Sequence, residues 1–176
     1  MNIIFVCHGN ICRSVAAEYI AKQLDKDKKH NIISRATSFE EIGNDIYPPM
    51  KQTLRTEGIP FGLHHATRIN QQDYDWADVI FYMDDENKYY LNRIVTDKDN
   101  KIKPIYLYTP EIDKIEDPWY TRNFQKVVSQ IKTCINYLFK ALYNNYATKN
   151  GCFAVVFHLF VELIFFFLKS HSKSDK

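Results

Sequence analysis

The chain has 176 residues, of which 45% are hydrophobic and 25% charged, which suits one domain with a real core and no disorder before the tail. A formal charge of +2, with no run of lysines interleaved with aromatics, excludes nucleic acid as the expected partner. Four cysteines, Cys7, Cys12, Cys134 and Cys152, lack CxxC spacing, and no basic segment leads a signal-type apolar run at the N-terminus, so a reducing, cytoplasmic setting is expected.

The run NIIFV (2–6) is short, continuous and rich in branched residues, as a strand buried on both faces requires. After a short loop, Ala16, Ala17, Ile20, Ala21 and Leu24 fall at helical spacing, with lysines toward the end where the helix dipole favours cations. A second strand is expected at 31–37, a helix at 48–58 opened by proline and closed by glycine, and a third strand at 78–83. A helix over 85–95, a fourth strand at 103–108 and a long closing helix over 122–146 complete the series. Strands alternating with helices predict a single-domain α/β fold, an open four-stranded parallel sheet flanked by helices with right-handed crossovers. Ligands of such sheets bind beyond the carboxyl ends of the strands, where the loop 7–13 lies.

That loop carries chemistry. A strand feeding a short loop into a helix aims backbone N–H groups and the positive end of the helix dipole at one small volume suited to an anion. Cys7 stands at the edge of this field, where thiols ionise readily and become nucleophiles. Arg13 offers two parallel donors that match two oxygens of a phosphoryl group, and Ser14 can donate a further hydrogen bond to the thiolate. Gly9 and Asn10 are residue types that accept positive φ, which turns loop amides inward.

VCHGNICRS followed by an alanine-rich helix resembles the signature V-C-x-G-N-x-C-R-S of the low molecular weight protein tyrosine phosphatases. The resemblance runs over roughly 2–145. ISRATS (33–38), HHATRI (64–69), YMDDENKYYLNRI (82–94) and IEDPWY (115–120) are similar, in order, to the family's S-A-G-T-S strand end, H-x-A-R-Q stretch, M-D-x-x-N helix start and D-P acidic loop. It implies a phosphatase domain over 1–148 that acts on phosphotyrosine in proteins or on small aryl phosphates, without metal or organic cofactor. By the same resemblance Cys7 is nucleophile, Arg13 stabilises the transferring group and Asp117 is general acid, then base. His8, Gly9, Asn10, Ile11, Cys12 and Ser14 form the phosphate-binding loop. Asn10, Ser34, His64 and Asp84 form the polar network holding it, and Trp119 and Tyr120 form an aromatic wall for substrate. Cys12 resembles the family's neighbouring cysteine, which forms a reversible disulfide with the nucleophile. A phenolic leaving group needs a positioned acid, the role the resemblance gives to Asp117.

Several positions depart from the pattern: Val15 replaces a proline, Arg35 and Ala36 replace Ala-Gly, and Thr121 stands where glycine is frequent. A related arsenate reductase needs two further cysteines in mid-chain, and 13–133 contains none. A phosphoarginine phosphatase carries threonine where this chain has Ile11. A non-catalytic phosphate-binding module has no use for the acid Asp117. The tail 151–176 lies beyond the resemblance. Cys152–Leu168 is apolar except for His158 and Glu162, which leaves three readings: a membrane anchor over 152–168, a helix packed on the domain or a second copy, and a non-native extension.

Overall fold

A computed structural model describes residues 1–149, with side chains to residue 143; the readings made for 151–176 lie outside the described residues. The chain divides into Met1–Phe139 and Lys140–Lys176. In the second unit the described part is the end of the closing helix.

The first unit is built on four strands, β1 (Asn2–Cys7), β2 (Asn31–Ala36), β3 (Val79–Tyr82) and β4 (Ile102–Pro104), paired parallel in the order β2-β1-β3-β4. The helices are α1 (Arg13–Leu24), α2 (Pro48–Thr56), α3 (Gln71–Trp76), α4 (Asp85–Ile94), the short α5 (Pro118–Thr121) and α6 (Phe124–Lys149). The expected open parallel sheet is therefore the observed one. Ile3 to Val6 of the central β1 have no solvent exposure, which is why this strand reads as a continuous apolar run rather than an alternation. Ile4 and Val6 pack with Ile80, Tyr82, Ile69, Tyr74 and Leu91, while Phe5 turns the other way and stacks on Phe81, its partner in register. Buried Val15, Ala16, Ala17, Ile20 and Ala21 of α1 show the spacing that predicted a helix.

Two expectations shift. The fourth strand stops at Pro104 rather than running to 108, because β3 offers partners only as far as Tyr82. Beyond it the chain turns, with the Leu107 N–H donating to the Pro104 carbonyl and the Thr109 N–H to that of Tyr106. α3, absent from the sequence reading, is one short segment fixed by a capping box in which Asn70 and Asp73 exchange side-chain and backbone hydrogen bonds. The chain passes from β1 to β2 on one side and later to β3 on the other, so β1 ends at the point where strand order reverses. The crevice for a ligand opens there.

Candidate active site

Cys7 closes β1 and the loop 8–12 delivers the chain into α1, whose first residue is Arg13. Asn10 takes the left-handed conformation, φ 58°, as expected of its type. Gly9 does not share it. Its missing Cβ instead leaves room for Glu41, whose Cγ would stand 3.0 Å from a side chain at that position. The N-cap of α1 has no side-chain hydrogen bond and its first turn has no acidic residue, so the first amides face the loop unsatisfied by the protein's own side chains.

Asn10 is the hub that holds this shape. Its Nδ2 donates to Ser14 Oγ (2.9 Å) and Ser34 Oγ (2.8 Å), its Oδ1 accepts the Thr67 N–H, and its carbonyl lies 2.6 Å from His64 Nε2. The Ser34 hydroxyl donates in turn to Glu18 Oε2 at 2.6 Å. Because Ser14 Oγ already accepts from Asn10, its one proton is free to point at Cys7 Sγ, 3.0 Å away. The chain of donors thus ends on the sulfur with the polarity a thiolate needs. Thr37 and Ser38 at the end of β2 tie down the carbonyls of Cys7 and His8, and the Tyr47 N–H holds the carbonyl of Ile11 at 3.0 Å.

Arg13 is 2% exposed, and three acceptors receive its guanidinium: Asp84 on one nitrogen together with the Ile115 carbonyl at 3.4 Å, and Asp117 on the other. Burial works against its charge, but the neighbouring Cys7, Asp117 and Asp84 outweigh it and hold the guanidinium more firmly protonated than usual. Cys12 lies in the same cavity, and there burial first, then the charges of Cys7 and Asp117, push its thiol far up. Cys12 therefore stays a protonated thiol. Cys7 and Cys12 are both free in the structure.

The cavity has a volume of about 180 Å³, well short of the roughly 300–1,000 Å³ typical of drug-sized sites, so it fits the end of one side chain. Cys7, Ile11, Cys12 and Arg13 line it together with His8, Gly9, Asp117, Trp119 and Tyr120, and Glu40, Glu41 and Glu86 complete the lining. His8 Nε2 lies 3.1 Å from Glu40 Oε2. Asp117 caps α5: its Oδ1 accepts the Trp119 N–H at 2.9 Å while Oδ2 faces Arg13. Tyr120 is 80% exposed beside it.

The structure brings together every predicted site residue. Cys7, Arg13 and Asp117 meet in the cavity, Ser34 and His64 bond to Asn10, and Asp84 bonds to Arg13. Sequence reading missed Glu18, Thr67, Glu40, Glu41 and Glu86. Glu18, between Ala17 and Tyr19 on α1, carries no local sign that it accepts from Ser34 behind the phosphate loop.

Residues 2–148 match the model of the family described as low molecular weight phosphotyrosine protein phosphatase. The chain belongs to that family. The phosphatase is 36% identical over 140 residues to the low molecular weight protein-tyrosine-phosphatase YfkJ of Bacillus subtilis, covering 76% of this chain and 90% of that one. It is 34% identical over 155 residues to the human low molecular weight phosphotyrosine protein phosphatase, covering 80% and 95%. The crystal structure of YfkJ superposes with a TM-score of 0.77 over 82% of this chain and 96% of the other at 34% identity. The low molecular weight protein tyrosine phosphatase of Streptococcus pyogenes gives 0.72 over 80% and 92% at 30% identity. This phosphatase is accordingly a phosphoric monoester hydrolase of the protein-tyrosine-phosphatase class.

Proposed function

We propose that residues 1–148 hydrolyse phosphotyrosine, in proteins or as small aryl phosphates, by two displacements at Cys7. In the first, the sulfur attacks phosphorus and the bond to the phenolic oxygen breaks as Asp117 gives that oxygen a proton. In the second, water attacks the cysteinyl phosphate, Asp117 takes the proton and the phosphorus–sulfur bond breaks. Arg13 and the loop amides face the equatorial oxygens throughout, in a site where their charge needs no reorganisation.

The observation that carries this reading is the meeting of three groups in one small cavity: a sulfur at the accepting end of the Asn10–Ser14 chain, a buried guanidinium, and a carboxylate bonded to that guanidinium from 104 positions along the chain. A pure anion cradle needs the first two and not the third. The chemistry requires a free thiol, which supports a reducing, cytoplasmic workplace. Catalysis is assigned to the domain alone, so truncation after Asn150 should leave activity unchanged. Among the described residues no helix is long and apolar enough to cross a membrane. Whether 152–168 binds lipid is read by flotation of the full chain with vesicles.

Kinetics on an aryl phosphate with Cys7→Ser beside wild type tests the mechanism. The variant should lose turnover and still bind inorganic phosphate, because a serine hydroxyl is not ionised at neutral pH. Turnover near the wild-type rate would show that Cys7 is not the nucleophile.

A further inference from the structure

The loop that carries Asp117 is held from outside by side chains that the phosphatase chemistry does not use. The Trp119 ring lies 5.5 Å from the ring of Tyr47, and the Arg122 guanidinium stands over Trp119 at 5.2 Å from its centroid. Tyr47 also contacts the Phe124 ring at 5.8 Å, and its hydroxyl is 3.5 Å from Arg122 Nη1. Tyr47 is anchored on the far side as well, since its backbone N–H is the group that bonds the Ile11 carbonyl of the phosphate loop. Arg122 reaches its position over the indole through a left-handed backbone, φ 56°, a conformation that a non-glycine side chain adopts at a cost. Thr121, where glycine is frequent in the family, is the last helical residue of α5.

We propose that Tyr47 and Arg122 are positioning residues that latch the acid loop to the phosphate loop through Trp119. The mechanical link is short: Trp119 supplies the N–H that fixes Asp117 Oδ1, so displacing its ring displaces the carboxyl that must reach the leaving oxygen. Tyr47 then sets the distance between nucleophile and acid, one anchored through its amide and the other through its ring. The inference rests on Asp117 being the general acid, and the test separates the two claims.

Rates are measured on aryl phosphates whose phenols range from poor to strongly activated leaving groups, for wild type, Asp117→Ala, Arg122→Ala, Arg122→Lys and Tyr47→Ala. Asp117→Ala should slow poor leaving groups by roughly 10²–10⁴ and activated ones far less, because only the former need a proton. Equal losses across leaving groups for that variant overturn the acid assignment. With the acid assignment standing, Arg122→Ala and Tyr47→Ala should slow poor leaving groups by about 5- to 30-fold and leave activated ones within about 2-fold, as expected of a misplaced rather than missing acid. Arg122→Lys should recover most of the loss, since an ammonium still sits over the ring. Uniform losses, or none, overturn the latch. A second readout needs no turnover: in a Trp76→Phe background, where Trp119 is the remaining tryptophan, acrylamide should quench its emission more strongly after Arg122→Ala. Unchanged quenching overturns the contact, and a variant that unfolds is replaced by Arg122→Gln and judged on the same two readouts.

Discussion

Arg13 does not rest with its fork open. Asp84 and Asp117 occupy its two terminal nitrogens, so an incoming phosphoryl group meets a guanidinium that one carboxylate must release. Both carboxylates are fastened at their other oxygen, Asp84 by the Asn87 N–H and Asp117 by the Trp119 N–H, but Asp117 alone of the two lines the cavity and is the more exposed, so it is the one placed to yield. Asp117→Asn should therefore bind inorganic phosphate more tightly, by about 2- to 10-fold, as removal of a part-exposed competing charge permits. Competitive inhibition constants measure this, and weaker binding would mean that Asp117 does not compete. A second expectation concerns His30, whose ring stacks edge-on against Phe139 at 5.8 Å. Burial lowers its pKa from 6.5, with the N-terminal amine and Lys29 adding to the effect against Asp25. The unfolded chain then takes up the proton first, so this group's contribution is present above pH 6.5 and lost as pH falls through 6.5 to the folded value. Melting temperature should drop across that window, and His30→Gln should flatten the drop.

The elements show why some features were readable and others were not. β1 was plain because a strand buried on both faces must be apolar throughout, and Cys7, Arg13 and Ser14 were plain because the chemistry of an anion loop restricts residue type at fixed offsets. Asp117 was readable only with the resemblance, since an isolated Asp-Pro pair is an ordinary helix start. α3 escaped because six residues with one buried side chain, Tyr74, show no period. Arg35, a departure from the family pattern on β2, has a local reason: its Nε and one terminal nitrogen hold the Asp73 carboxylate at 3.1–3.2 Å, tying β2 to the capping box that fixes α3. Both side chains are largely shielded, so the pair escapes much of the screening that weakens surface bridges. Arg35→Ala should cost about 1 kcal/mol, or about 2–4 °C in Tm for a chain of this size, with kcat/KM unchanged. A loss of activity at full stability would place Arg35 in the site instead.

Across the whole molecule, the site draws on both ends of the domain. Strand order β2-β1-β3-β4 puts the first strand at the centre, so everything later in the chain is laid down around it. Arg13 reaches Asp84 across 71 positions and Asp117 across 104. Contacts of such separation carry the cost of closing long loops before they return any stabilisation. This has a consequence in time. Much of the helix can form locally during refolding, but the cavity has no acid and an incomplete guanidinium shell until the segment around Ile115–Asp117 returns to α1. Activity should consequently recover only with the slowest phase, after most of the helical circular dichroism signal is regained. Stopped-flow dichroism run in parallel with catalytic assay of the refolding mixture reads the order. Catalysis appearing ahead of the last spectroscopic phase would mean that the two ends of the domain meet early, and that the site itself belongs to the folding nucleus.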